Sequence, residues 1–229
     1  LLFKYLNITD EILNKHQVFL YLELAYLCGG QKLANPRIFL DTHSEYDNAV
    51  SSKWLTADKK YFGINSGAAF GPAKRWLPEY FAETITAIYS EYGYIPVLFG
   101  ASNEKQIGEL ILNNLNPEIP TLNLIGKTNL QELFSCIKHC SVFLTNDSGP
   151  MHIAAALGVP TVAIFGSTND ITTGPFSNNA IVLKSSEPCA PCIKRHCAYN
   201  TYACMKNIKP SDAVDKLKHI INISIIDKK

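Results

Sequence analysis

SVFLTNDSGPMHIAAALGVPTVAIFG, residues 141–166, joins two apolar runs through a polar turn and an Ala-rich segment. Ser141–Thr145 is short and β-rich, as expected of a strand buried on both faces of a parallel sheet. Asn146, Asp147 and Ser148 follow, all residues that favour helix N-caps. Gly149 lets a ligand approach the backbone, and Pro150 suits a first helical turn, where a missing N–H costs nothing. Met151–Leu157 reads as a compact helix ended by Gly158 and Pro160, and Thr161–Phe165 as a second buried strand closed by Gly166. A strand–turn–helix–strand unit of this kind aims free backbone N–H groups and a helix dipole at the carboxyl edge of a sheet, where phosphates bind.

Upstream the same alternation repeats. Lys60–Asn65 and Ile95–Gly100 read as strands, with an amphipathic helix between them over Pro78–Tyr92, begun by Pro78 and ended by Gly93. A helix from Glu104 to about Leu115, a short strand at Leu122–Ile125 and a helix at Leu130–His139 complete four βα repeats from Tyr61 to Gly166. That order predicts an α/β fold, a doubly wound parallel sheet. Neither GxGxxG nor GxxxxGK[ST] is present, which argues against dinucleotide-dependent dehydrogenases or epimerases and against P-loop NTPases.

Two loops at strand ends carry chemistry. Ser66–Trp76 (SGAAFGPAKRW) combines small residues, which let backbone come close to a ligand, with Lys74, a point charge suited to a phosphate; a surface loop with solvated cations is the bland alternative. Glu104 falls at the start of a helix at a strand's carboxyl end, where an acid either accepts from ribose hydroxyls or merely complements the dipole.

Towards the carboxyl end, Ala180–Leu183 reads as a last strand and Pro210–Ile223 as a terminal helix before a polar tail, Asp227-Lys228-Lys229. Between them Cys189, Cys192, Cys197 and Cys204 follow a C-x2-C-x4-C-x6-C spacing, with His196 beside them. Four such residues can hold zinc, remain reduced, or form disulfides in an oxidising compartment. Towards the amino end, Gln17–Leu27 is apolar all round, predicting a buried packing helix; Pro36–Leu40 is a candidate strand; and polar Asp41–Lys60 is a candidate interdomain linker in which His43 reads as a surface residue.

Composition bounds the function. The 229 residues are 47% hydrophobic and 18% charged, enough for a sizeable core, and a net charge of +1 with no basic run gives no case for nucleic acid. The most apolar window, Val18–Cys28, is too short for a bilayer span and carries Glu23. No signal peptide is visible, so the Asn-x-Ser/Thr triplets at Asn7, Asn146 and Asn222 are discounted as glycosylation sites. The chain opens Leu1-Leu2-Phe3-Lys4 without a complete βα unit, so a fragment beginning inside a domain is expected.

SGAAFGPAKRW (66–76) and TNDSGPMHIAAALGVPTVAIFGST (145–168) together resemble the lipopolysaccharide heptosyltransferases of glycosyltransferase family 9, and within it the heptosyltransferase II group, as does PCAPCIKRHC…CM (188–205). The resemblance implies a GT-B fold of two Rossmann-like domains, with residues 1–50 the rear of an acceptor-side domain plus linker and residues 51–229 the nucleotide-sugar donor domain. It implies an inverting transfer of heptose from ADP-heptose to the lipid A–core acceptor, without cofactor or metal, by a cytoplasmic monomer in peripheral contact with the inner membrane. Lys74 would neutralise the leaving diphosphate and Asp147 would bind sugar hydroxyls. Ser148 and Gly149 would offer N–H groups to phosphate, with His152 near the diphosphate. Glu104 would bind ribose, and Thr128 would mark where backbone meets adenine. The family's base is an Asp that no residue here matches. Heptosyltransferases I or III, and a nucleotide-sugar-binding module without turnover, are the alternatives.

Overall fold

A computed structural model of the chain describes residues 9–42, 47, 50 and 52–226. The expectations for Asn7, His43 and the tail 227–229 fall outside the described residues. Six strands form one parallel sheet: β1 (Tyr61–Asn65), β2 (Ile95–Phe99), β3 (Leu122–Asn123), β4 (Cys140–Asn146), β5 (Thr161–Phe165) and β6 (Ala180–Lys184), in the order β3-β2-β1-β4-β5-β6. Strands and helices begin and end within a few residues of the sequence expectation. The helix after β4 starts at Gly149 rather than Met151, and β3 is two residues instead of four.

Side-chain alternation assigns the sheet's two faces. Phe62, Ile64, Leu98, Val142, Leu144, Val162 and Ile164 join the core beneath the helices Pro78–Tyr92 and Pro210–Ile226. Tyr61, Val97, Phe99 and Phe143 point the other way, towards the helices Leu130–Lys138 and Gly149–Ala156. Gly63 leaves room for the Phe143 ring, which a Cβ there would meet at 2.4 Å. The helix Pro78–Tyr92 has the expected bounds, with Gly93 left-handed at its end and its N–H bonded to Tyr89 O at 2.8 Å. Just before that helix, Trp76 is 1% exposed; it donates Nε1–H to Ile208 O and meets Tyr80 and Phe81 edge-on. Removing an indole this deep costs about 3–5 kcal/mol, so the loop from β1 is fastened at its far end.

Two expectations for the amino-terminal segment are corrected. Gln17–Leu27 is a helix, but none of its residues is buried, and Tyr21 is 62% exposed. All-round apolarity favours burial only where partners surround the helix; here Phe19 and the capping His16 meet Phe176, Tyr26 Oη accepts from Leu33 N–H, and every residue of the helix stays exposed or half-buried. Pro36–Leu40 is not a strand: it lies outside the sheet, and Leu40 N–H donates to Ala156 O at 2.9 Å. Within the candidate linker, Asp47 and Leu55 are buried, Asp47 against Lys138 at 2.8 Å and Ser135 at 3.0 Å.

Candidate functional site

The order 3-2-1-4-5-6 reverses between β1 and β4. After β1 the chain leaves for one face of the sheet and after β4 for the other, which opens a crevice at their carboxyl ends. The loop 66–76 and the turn 146–149 meet there and are cross-braced. Asn146 accepts from Trp76 N–H at 3.1 Å and donates to Ser66 O at 2.7 Å. Asn65 donates to Ser148 Oγ at 2.9 Å, and Thr145 and Ser148 hydroxyls share a bond at 3.1 Å. Asn146 is fully buried, which agrees with discounting it as a glycosylation acceptor.

On one side of the crevice charge is concentrated. Lys74 Nζ lies 2.5 Å from Asp147 Oδ2, with the two side chains 14% and 6% exposed. The Thr168 hydroxyl donates to the same carboxylate oxygen at 2.6 Å, and Lys74 also sits 4.8 Å over the Phe70 ring. A carboxylate this buried is tolerable because it is paired and hydrogen-bonded. Next to it, exposed His152 occupies the first turn of the helix Gly149–Ala156. The surrounding protein mass holds its pKa below the usual imidazole value; Asp147 opposes that shift, while His16 and Lys74 add to it. His16 accepts from Val18 N–H through Nδ1 and therefore donates Nε2–H to Gly174 O at 2.9 Å.

The other side is a cleft of about 400 Å³ whose lining includes Gly67, Glu104, Thr128, Leu133, Ser148 and Gly149. Glu104 ends a short 3₁₀ turn, Ser102–Glu104, is 9% exposed, and accepts from Ala101 N–H at 2.9 Å. Gly67 lies flat against that carboxylate, since a Cβ there would fall 2.0 Å from Oε1. Gly149 faces open space, with nothing within 4 Å of where a Cβ would stand, so the helix terminus is accessible to a ligand. An anion seated there meets backbone N–H groups and Lys74, while Glu104 can accept hydroxyl protons and Leu133 can cover an apolar ring.

The seven residues singled out from the sequence thus gather at one sheet edge. Glu104, Thr128, Ser148 and Gly149 line the cleft, Lys74 and Asp147 pair beside it, and His152 borders the pair. Sequence reasoning missed Thr168, Asn65 and Phe70. Thr168 falls inside the second quoted stretch, two residues after the strand-closing Gly166, and that position was its one signal.

The four late cysteines are free and all line a separate cavity of about 240 Å³. Hydrogen bonding from the backbone at Tyr202 lowers the pKa of Cys197 to about 7. Burial, helped by the three neighbouring thiols, pushes Cys204 up.

A doubly wound parallel sheet with small-residue loops, a lysine and an open helix terminus at its switch point defines an α/β protein of the Rossmann-like kind, with the chemistry that suits an anion gathered at that point. The chain belongs to glycosyltransferase family 9 (heptosyltransferase), which matches residues 1–203. It is 37% identical over 173 residues to lipooligosaccharide heptosyltransferase 2 of Campylobacter jejuni, covering 74% of this chain and 54% of that one. It is 36% identical over 173 residues to lipopolysaccharide heptosyltransferase 2 of Escherichia coli, covering 72% and 49%. The solved structure of E. coli ADP-heptose LPS heptosyltransferase II superposes with a TM-score of 0.77 at 28% identity, over 93% of this chain and 64% of that one. The chain spans about half the length of the curated relatives it matches.

Proposed function

We propose that residues 51–229 are the donor-binding domain of an inverting heptosyltransferase, and that residues 1–50 are the rear of its acceptor-side domain and linker. In this reading, L-glycero-D-manno-heptose moves from ADP-heptose to the inner-core heptose of lipopolysaccharide or lipooligosaccharide. The observation that carries the reading is the adjacency of the Lys74–Asp147 pair, the open helix terminus at Gly149 and the Glu104 cleft. Adenine would lie towards Thr128 and Leu133, ribose hydroxyls on Glu104, and the diphosphate across Ser148, Gly149 and Lys74.

The acceptor hydroxyl oxygen attacks the anomeric carbon as the bond from that carbon to the diphosphate oxygen breaks. ADP leaves with the bonding pair, and a base from the acceptor-side domain takes the hydroxyl proton. Lys74 turns from Asp147 to the diphosphate as negative charge builds there, freeing Asp147 to accept from sugar hydroxyls, so the lysine and helix amides act on rate as well as binding. A lysine and a helix terminus together supply the positive charge that departing ADP requires, so the proposed reaction uses no metal. The work would be done by a monomer on the cytoplasmic side, touching the inner membrane peripherally; among the described residues no helix is long and apolar enough to cross a membrane. The type I or III heptosyltransferases differ in acceptor, a choice read mainly by the acceptor-side domain. A donor-binding module without turnover is the second reading.

Calorimetric titration of ADP, in buffer with EDTA, tests the donor site. Binding that weakens about ten- to a hundredfold in Lys74→Ala is expected, in line with loss of a charge-assisted contact. No ADP binding by the folded protein would overturn the assignment. The binding-module reading is separated by assaying heptose transfer with the complete enzyme.

A further inference from the structure

We propose that Cys189, Cys192, Cys197 and Cys204 form a tetrathiolate site for one borderline-soft divalent cation, zinc in the first instance, that stiffens the carboxyl-terminal loop packed against the lysine-bearing loop. The proposal stands apart from the transfer reaction and does not depend on it.

Four observations carry it. All four sulfur-bearing residues line one cavity of about 240 Å³, although 15 positions separate the first from the last. The chain between them holds no regular element before the short helix Ala203–Lys206. It reaches this arrangement by placing Ile193, Asn200 and Tyr202 at φ of 55°, 54° and 52°, which are the positive-φ non-glycine residues among those described. L-residues adopt that conformation at a cost, so the loop is shaped by something beyond local preference. Tyr202 N–H points at Cys197 Sγ at 3.4 Å, the kind of second-layer donor that steadies a metal-bound thiolate. Finally, all four thiols are free, so no disulfide already explains why they converge.

Among the described residues no three His, Cys, Asp or Glu groups stand close enough to hold an ion, so binding has to draw the four thiols together. Cys204, buried at 7% exposure, is the fixed point. Cys189, Cys192 and Cys197 ride on irregular chain that can close on it, towards sulfur–metal distances of about 2.3 Å. Lys194, which lines the cavity, offsets part of the net negative charge that four thiolates and one divalent cation carry. Binding exchanges up to four thiol protons for the cation, with no electron transferred.

The loop also has a mechanical task. Arg195 O accepts from Ala73 N–H at 3.1 Å and presses on Gly71, where a Cβ would meet it at 2.6 Å; Ile193 N–H donates to Ser167 O at 2.7 Å. The segment is therefore wedged between the turn that ends in Lys74 and the turn that carries Thr168. A cation drawing its cysteines together would hold both turns in place.

The test is metal analysis of the full chain, purified under reducing conditions from zinc-supplemented medium, followed by cobalt substitution. About one equivalent of zinc is expected, with intense sulfur-to-cobalt charge-transfer absorption in the Co²⁺ form. Both should be lost in C192S/C197S, whose positions are not fully buried and whose folding is checked by circular dichroism, and both should be kept in C28S. Iron in place of zinc at the same stoichiometry would support the tetrathiolate site and correct the metal. Less than about a tenth of an equivalent with no cobalt band, metal undiminished in C192S/C197S, or a native disulfide among the four cysteines would each overturn it.

Discussion

The two sides of the crevice satisfy the same physical demand in opposite ways. On the β4–β5 side the charges satisfy one another: Lys74, Asp147 and Thr168 close a hydrogen-bonded group before any ligand arrives. On the β1–β2 side one acid stands almost alone, Glu104, bonded to Ala101 N–H and facing an open cleft with glycine and apolar residues around it. A buried charge needs a partner at all times, so the first side gains a ligand only by exchanging partners. The second has space, so it gains a ligand by filling it. The first should therefore govern the chemical step and the second the affinity.

The largest effect should come from breaking the charged side. Lys74→Ala, in the complete enzyme, is expected to lower kcat/KM for ADP-heptose by about 10²–10³, the scale of removing one donor to a developing charge. A near-normal kcat/KM would place leaving-group stabilisation elsewhere. The open side is broken differently, by steric means. In Gly67→Ala the new Cβ falls 2.0 Å from Glu104 Oε1, so the carboxylate must swing into the cleft. ADP affinity is expected to drop about ten- to a hundredfold by calorimetry while the fold, read by thermal unfolding, changes far less. Unchanged affinity would mean that the ligand does not use this cleft.

Glu104→Gln sharpens the same side. It keeps the shape and removes the charge, and is expected to weaken ADP about tenfold. The informative comparison is with ADP lacking one ribose hydroxyl. If Glu104 accepts from that hydroxyl, substitution and deletion should not add; additive losses would separate the acid from the ribose.

Much of this frame is legible in the sequence, because local signals and tertiary context agree there. Pro78 and Gly93 bracket a helix with the expected ends, and the apolar runs at 61–65, 95–99, 140–146 and 161–165 all become central strands. Where context decides alone, the reading fails. Pro36–Leu40 has the composition of a strand but joins no ladder among the described residues, and Gln17–Leu27 has the composition of a core helix but none of its residues is buried. The positions of Lys74, Glu104 and Asp147 at strand ends are readable; the pairing of Lys74 with Asp147 across 73 residues is not, because it depends on β1 and β4 lying side by side. Thr168 was hidden for the same reason: its bond to Asp147 spans the β4–β5 pair.

The smallest expected effect joins the two sides through His152. Its pKa in the free protein lies below the usual value, first because the surrounding protein disfavours the charged ring, with Lys74 and His16 adding to the shift and Asp147 opposing it. The shift favours the uncharged ring in the free protein. A diphosphate seated at the helix terminus brings negative charge beside it and raises its pKa, so binding takes up a proton. The sign follows: affinity should rise as pH falls from the bound-state pKa towards the free-state value, and level off below it. ADP itself gains a proton near pH 6 and loses charge, which pulls the other way. The useful quantity is thus the ratio of affinities between the protein and His152→Gln at each pH. That ratio is expected to grow about two- to fivefold between pH 7.5 and 5.5, the size of a charge interaction near a helix end. A flat ratio would show that the histidine is too far from the diphosphate to sense it, leaving anion recognition to Lys74 and the backbone amides.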